Sequence, residues 1–136
     1  MNHFRVRFPL ASATLVLMCL SLTTLSCDTG GSTEADRRGV GAECTVNTDC
    51  TEANQTCLTN FKGGYCGVKS CTNDAGCPDG SACVTHTDGT NYCFLVCDTK
   101  SNCNINRSAA NESNCSGSIT WADTDQGKAC VPPSGN

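Results

Sequence analysis

The stretch CTVNTDCTEANQTCLTNFKGGYC, residues 44–66, decides the fold, because four cysteines recur in it at short intervals. The intervals hold five, six and eight residues. Residues 71–93, CTNDAGCPDGSACVTHTDGTNYC, follow the same plan with intervals of five, five and nine residues. Repetition at this spacing indicates one small structural unit copied in tandem.

A third set of cysteines follows with a looser pattern. Residues 97–130 keep the first interval of five residues but then have intervals of eleven and fourteen. A tyrosine precedes the fourth cysteine in the first two sets, Tyr65 and Tyr92, whereas Ala129 stands there in the third. Terminal copies often diverge in this way. We therefore predict three cysteine units, which we call units 1, 2 and 3, at residues 44–70, 71–96 and 97–136.

The scarcity of apolar side chains explains why the chain needs these cysteines. Only fifteen apolar residues larger than alanine, cysteine and proline aside, occur from Val40 onward, too few for a single core. Small domains in this position are stabilised by disulfides, each contributing about 3 kcal/mol for a loop of about fifteen residues. The sequence predicts a small disulfide-rich fold with short β-hairpins and little regular secondary structure. The expected disulfide residues are Cys44, Cys50, Cys57, Cys66, Cys71, Cys77, Cys83, Cys93, Cys97, Cys103, Cys115 and Cys130.

Turn signals lie between the cysteines and divide the units into hairpins. Gly63-Gly64, Pro78-Asp79-Gly80 and Asp88-Gly89 are such signals. They predict one hairpin in each of units 1 and 2. One or two helical turns are expected at residues 107–112, the only segment with helix-favouring composition.

The N-terminal region has the layout of an export signal. Arg5 and Arg7 precede an uncharged apolar run from Phe8 to Leu25. The following residues, Thr24-Leu25-Ser26-Cys27, resemble a bacterial lipobox, although threonine and leucine are transposed relative to the usual order. This resemblance implies cleavage after residue 26 and a lipid on Cys27.

Cysteine parity supports the same interpretation independently of the motif. The chain has fourteen cysteines, of which Cys19 would leave with the signal peptide at residues 1–26. If Cys27 carries a lipid, twelve remain and all can pair. If Cys27 is unmodified, an odd thiol is left, which would favour a bridge between molecules.

Residues 27–43 are rich in glycine and polar side chains and are predicted to form a flexible tether. Past Cys27 the chain has thirteen acidic and seven basic side chains, a net charge of −6. Such a surface disfavours nucleic acid and anionic lipid heads as partners. The expected attachment is to a membrane through the N-terminal lipid, outside the cytoplasm, at the outer membrane or surface of a bacterial cell.

The whole pattern resembles a known group of proteins. A signal with a lipobox-like end, a Gly/Ser tether and repeated Cys-x5-Cys-x5/6-Cys-x8/9-Cys units are similar to the cysteine-rich lipoproteins of myxobacteria. Their repeats are similar to the N-terminal cysteine-rich region of Dickkopf proteins. The resemblance implies secretion and a disulfide framework, and a role in Wnt signalling does not follow from it. EGF-like modules differ because they have Cys-x-Cys after the fourth cysteine, where this chain has x4 and x3.

Metal sites are a natural alternative for a chain so rich in cysteine. Zinc sites favour closely spaced cysteine pairs with histidine, whereas His86 is the one histidine beyond the signal. We interpret it as a solvated loop histidine. Asp123-Thr-Asp125-Gln-Gly127 has the spacing of calcium-binding loops, but a solubilising turn is the more ordinary interpretation. No metal or cofactor is predicted.

The sequence therefore predicts a non-enzymatic binding or structural module with an extracellular protein or matrix partner. The alternative is a protease inhibitor, in which Lys62, Lys69 or Arg107 on a disulfide-braced loop enters a specificity pocket. Four cysteines per unit allow three pairings. We predict first with third and second with fourth.

Overall fold

The computed structural model describes residues 39–135, which form short antiparallel strands and very little helix. The strands are β1 (Thr56–Cys57), β2 (Cys66–Gly67), β3 (Ser81–Thr85), β4 (Asn91–Leu95), β5 (Asn114–Ser116), β6 (Thr120–Trp121) and β7 (Ala129–Val131). One α-helix, α1, spans Lys100–Asn104, and 3₁₀-helices span Asn47–Asp49, Asp74–Gly76 and Ala109–Asn111. The predicted disulfide-rich class with little regular structure is confirmed.

Each cysteine unit contains one antiparallel strand pair in which the third cysteine faces the fourth. The facing pairs are Cys57 with Cys66 in β1 and β2, Cys83 with Cys93 in β3 and β4, and Cys115 with Cys130 in β5 and β7. Strand β6, from the long loop of unit 3, adds to the free edge of β3. Units 2 and 3 therefore share a three-stranded sheet.

Two disulfides close each unit in the same order. The pairs are Cys44–Cys57, Cys50–Cys66, Cys71–Cys83, Cys77–Cys93, Cys97–Cys115 and Cys103–Cys130. The predicted pairing of first with third and second with fourth is confirmed in all three units. Since each third and fourth cysteine face each other across two strands, the two bridges fasten the first two cysteines onto one hairpin.

Side chains in the first cysteine interval fix this arrangement. Asn47 Oδ1 accepts the N–H of Cys57 at 3.1 Å, and Asp74, at the matching position of unit 2, accepts that of Cys83 at 2.8 Å. Asp49 accepts the N–H groups of Thr45 and Val46 at 2.8 and 3.2 Å. Asn102 occupies the position in unit 3 that corresponds to Asp49. Its side-chain oxygen accepts the corresponding two N–H groups, those of Asp98 and Thr99. A short polar side chain at these positions therefore builds the turn.

We expect the Asp49→Asn variant to resist acid better than the natural chain. Hydrogen bonds from the N–H groups of Thr45 and Val46 hold the pKa of the Asp49 carboxyl below its ordinary value of 3.8. The stability that this carboxylate contributes is present above about pH 4 and is lost as the pH falls through the lower folded-state pKa. An asparagine keeps the acceptor oxygen, as Asn102 does, and has nothing to protonate.

The measurement is the melting temperature of both proteins between pH 7 and pH 2. The two should melt alike near neutral pH, and the decline in acid should be shallower for the variant. Asp98→Asn is the control, because no described residue donates a hydrogen bond to that carboxylate. Parallel acid curves for the natural chain and Asp49→Asn would contradict the assignment.

A small core joins the three units, which corrects the expectation that the apolar residues form no single core. The buried cluster takes residues from every unit: Leu58, Phe61, Tyr65, Val84, Tyr92, Phe94 and Ala129. Tyr65, Tyr92 and Ala129 each precede the fourth cysteine of their unit. These three matching positions lie together because the units pack against one another. Each unit has too few apolar residues for a core of its own, so the three units share one core.

Aromatic rings make most of this core. The Phe61 ring meets Tyr65, Tyr92 and Phe94 edge-on at centroid distances of 6.0, 5.1 and 5.7 Å, and Tyr92 stacks on Phe94. The hydroxyls of both tyrosines have partners, since the Tyr65 oxygen accepts the N–H of Leu95 and the Tyr92 hydroxyl donates to a carboxylate. Burial raises the pKa of Tyr65 well above its ordinary value. Edge-to-face pairs of this kind add about 0.5–1.5 kcal/mol each beyond their buried area.

The predicted tether, residues 27–43, ends earlier than expected. Ala42 is fully buried, and Val40 packs against the aromatic core. The Gly41 N–H donates to the Cys66 carbonyl and the Cys66 N–H to that of Ala42, at 2.9 and 3.0 Å. Residues 40–43 therefore belong to the folded body. Their glycines and small side chains had suggested a linker, but small size here allows close approach to β2.

The turns confirm the sequence prediction, and the helical segment confirms it in part. Gly63 and Gly64 both have positive φ, and a Cβ on Gly64 would lie 2.1 Å from the Cys44 carbonyl oxygen, so this position requires glycine. Of the segment 107–112 predicted as helical, Ala109–Asn111 forms a 3₁₀-helix. The α-helix lies instead at Lys100–Asn104, inside the first cysteine interval of unit 3. No helix within residues 39–135 has the length and apolar character needed to span a membrane.

Candidate interaction surface

A groove of about 740 Å³ opens where the three units meet, and we call it the junction groove. Its walls are residues 52–54 of unit 1, residues 75–79 of unit 2, and Asn102, Ile105 and Asn106 of unit 3. Because every unit contributes a wall, the groove exists only in the assembled body. Its volume falls within the range typical of ligand sites.

The lining of the junction groove combines apolar and acidic character. Ile105 is 75% exposed, and Leu95 and Pro78 also belong to the lining. Glu52 and Asp79 are the charged residues among the described lining, and both are acidic. Large exposed apolar side chains next to polar groups are typical of contact surfaces. The sequence had not singled out these residues, although Ile105, a lone large apolar residue in a polar loop, was a usable signal.

Arg107, proposed from the sequence as an exposed inhibitor residue, is instead buried and holds the body together. It is 8% exposed and donates to four main-chain carbonyls. The acceptors are Gly41 and Gly64 at 3.0 Å and Lys62 and Asn111 at 2.7 Å. The guanidinium also lies 5.8 Å from the centre of the Tyr65 ring. A protease could not reach this side chain, so the expectation for Arg107 was wrong.

An acidic residue, Glu43, lies close to Arg107. Glu43 accepts a hydrogen bond from the Ser108 hydroxyl at 2.8 Å. Partial burial alone would raise the pKa of Glu43, but hydrogen bonds from Ser108 and the nearby Arg107 charge outweigh it and hold the pKa below its ordinary value. Burial lowers the pKa of Arg107 from its ordinary value, yet arginine stays charged in proteins.

Lys62 and Lys69 are exposed, as the inhibitor hypothesis requires, but main-chain hydrogen bonds already involve Lys62 and both neighbours of Lys69. The Lys62 N–H donates to Pro133 at 2.9 Å, its carbonyl accepts from Arg107, and two left-handed glycines follow it. Lys69 lies opposite Tyr92 in an isolated β-bridge, whose hydrogen bonds are made by the neighbouring Val68 and Ser70. A peptide that binds another protein as an extended strand needs free main-chain groups. Lys62 does not lie on such a loop, and the segment around Lys69 is already paired along one side.

His86 lies in the core, which corrects its interpretation as a solvated loop histidine. Its side chain is only 9% exposed. The imidazole meets the rings of Phe61, Tyr92 and Phe94 edge-on, at centroid distances of 5.3, 5.9 and 6.0 Å. The Asp88-Gly89 turn had suggested exposure, but the turn folds back so that the imidazole packs under the hairpin.

The carboxylates once considered for calcium bind main-chain N–H groups. Asp123 accepts the N–H of Asp74 at 3.1 Å, and Asp125 accepts that of Gly127 at 2.7 Å. The Gln126 amide donates to Asp74 at 3.2 Å, which fastens this loop of unit 3 to unit 2. Each carboxylate therefore has a structural role in loop docking.

Cysteine sulfurs cluster in each unit at distances that would suit a metal. Three Sγ atoms per unit lie within 4.8 Å of one another. All of them are in disulfides, and metal binding requires the free thiolate. Six disulfides in this small body mean that it exists in an oxidising environment.

Cys27, the predicted lipid site, and the signal peptide lie outside the described residues. Comparison of the chain with protein-family models, curated proteins and solved structures found no significant match.

Proposed function

We propose that the chain is an exported, lipid-anchored, cysteine-rich module that acts without catalysis, by binding a partner or matrix at the surface of a bacterial cell envelope. Its oxidised framework agrees with export. The recurrence of pairing, strand register and turn-fixing side chains supports three tandem copies of one unit.

One observation carries the proposal of a lipid anchor. All twelve cysteines from Cys44 to Cys130 are paired with one another, so none of them is left as a partner for Cys27. A cysteine left over after complete pairing needs a separate purpose. Acylation supplies one, and the lipobox-like residues 24–27 stand at the required place.

The binding role rests on the junction groove. Its walls belong to three units that disulfides and a shared core hold in place, so little conformational entropy would be lost on binding. Its exposed Ile105 and acidic rim offer an apolar anchor and a charge preference. A rigid, protease-resistant surface on a lipid tether is suited to contact outside the cell.

The lipid is tested by feeding an alkyne-tagged fatty acid to bacterial cells that express the chain. The natural chain should take up the label, and Cys27→Ser should lose it, because the thiol is the acceptor. Cys19→Ser is the matched control and should keep the label, since this residue would leave with the signal. Label retained by Cys27→Ser, or a mature mass without added lipid, would refute the anchor.

Partner binding is tested separately by cross-linking on intact cells. A reproducible adduct should form with the natural chain and should weaken when Ile105 is changed to serine. Ser118→Ala, at an exposed site away from the junction groove, is the control. Cross-linking is also repeated on cells whose disulfides have first been reduced. Adducts that form unchanged after this reduction would count against a folded binding surface.

A further inference from the structure

A second, smaller cavity lies between units 2 and 3 and takes no part in the function proposed above. It has a volume of about 210 Å³, and we call it the His86 cavity. Its apolar walls are Val84, Phe94, Ile119 and Val131, and serine and threonine side chains of both units line it as well. A cavity of about 150 Å³ with such walls is large enough for a benzene ring. The His86 cavity therefore has room for a monocyclic molecule with one substituent.

His86 also lines this cavity, and its imidazole forms no hydrogen bond with a described residue. Its side chain is nine-tenths buried, and Nδ1 has no hydrogen bond although it is fully buried. Asp88 Oδ1 lies 3.5 Å from Nδ1, within ion-pair reach but without hydrogen-bond geometry. No described residue donates to Nε2. The buried Nδ1 has the Asp88 carboxylate beside it, whereas Nε2 is not fully buried and can accept a hydrogen bond from another molecule.

The neighbouring carboxylate determines which nitrogen is the acceptor. Asp88 accepts hydrogen bonds from the N–H of Thr90 and the hydroxyl of Tyr92, both at 2.8 Å. Partial burial would raise the pKa of this carboxyl, but these bonds outweigh it and keep Asp88 ionised. A carboxylate facing Nδ1 favours the tautomer that carries its proton there. Nε2 is then left with a lone pair.

We propose that the His86 cavity binds a small apolar ring compound that carries one hydroxyl group, with the hydroxyl donating to His86 Nε2. The ring packs against Val84, Ile119 and Val131, and the wall from Phe94 offers it an aromatic contact. The apolar side chains contact the ring, and Nε2 accepts the hydrogen bond of its hydroxyl, so a molecule that has both parts should bind more tightly than one that lacks the hydroxyl.

The test uses phenol and toluene, which have similar shape and differ in the hydroxyl. The full chain with Cys27→Ser is labelled at the histidine nitrogens, and His86→Phe assigns the His86 signals. Phenol should shift the Nε2 resonance saturably and bind about fivefold more tightly than toluene, the effect of one neutral hydrogen bond. In His86→Phe that preference should disappear.

A pair of isoleucine variants checks that binding occurs in this cavity. Ile119→Trp fills it and should weaken phenol binding at least tenfold, whereas Ile105→Trp, in the junction groove, should leave it unchanged. Equal affinity for phenol and toluene in the natural cavity, no saturable shift, or full binding by Ile119→Trp would each overturn the proposal. None of these outcomes depends on the lipid or on a protein partner. Failure of this proposal would therefore leave the proposed function unaffected, and the reverse also holds.

Discussion

Replacement of Arg107 by methionine should lower the free energy of unfolding by about 3–5 kcal/mol, the effect of removing one side of a buried charged network. Methionine has similar length and no donors. The substitution would remove the guanidinium that donates hydrogen bonds to the carbonyls of Gly41, Lys62, Gly64 and Asn111. Each buried carbonyl left without a donor costs about 1–3 kcal/mol before relaxation or water entry reduces the penalty.

Two further variants identify the cause of that loss. Arg107→Lys keeps the charge but cannot reach four carbonyls at once, so it should lose an intermediate amount. Lys100→Met is the control, because Lys100 forms an exposed ion pair with Glu112 and should cost less than about 1 kcal/mol. Urea unfolding of the oxidised proteins measures all three. An Arg107→Met protein within about 1 kcal/mol of the natural one would show that water replaces the guanidinium.

The Arg107 network explains why the three units form one folded body and are not independent domains. One side chain of unit 3 binds residues 62–64 of unit 1 and the end of the predicted tether at Gly41. The aromatic core and strand β6 connect unit 2 to the same assembly. The relative position of the units, and with it the shape of the junction groove, is therefore fixed by contacts between them.

Local features of this fold could be predicted from the sequence because local chemistry determines them. The cysteine intervals predicted the fold class, and Asp88-Gly89 predicted the turn between β3 and β4. A hairpin with the third and fourth cysteines face to face still leaves more than one way to pair them with the first two, so the pairing was predicted from among open alternatives. These features depend on residues fewer than thirty positions apart.

Features that depend on how units pack could not be predicted in the same way. Arg107 and Gly41 are 66 positions apart, and nothing near either residue indicates the other. A polar loop containing arginine is usually solvated, so its burial becomes visible only when the surrounding carbonyls are in place. His86 was misjudged for the same reason, since Phe61, which covers its ring, comes from another unit. Both candidate cavities lie between units and share this limit.

Reduction of all six disulfides should unfold the whole body. Their closed loops range from 12 to 27 residues in sequence separation, and the chain-entropy model assigns about 3 kcal/mol to each. Their sum, about 18 kcal/mol, exceeds the net stability of typical domains, about 5–15 kcal/mol. The seven residues of the buried core are too few to replace it.

Trp121 makes this unfolding easy to follow, because it is the single tryptophan and packs partly buried against the core. Its emission should move to longer wavelength when a phosphine reductant is added, and amide NMR signals should lose their dispersion. Treatment with a strong chelator is the control and should change neither signal, since the clustered sulfurs are bonded to each other. A reduced chain that kept dispersed amide signals would mean that the shared core and the Arg107 network are sufficient without sulfur bridges.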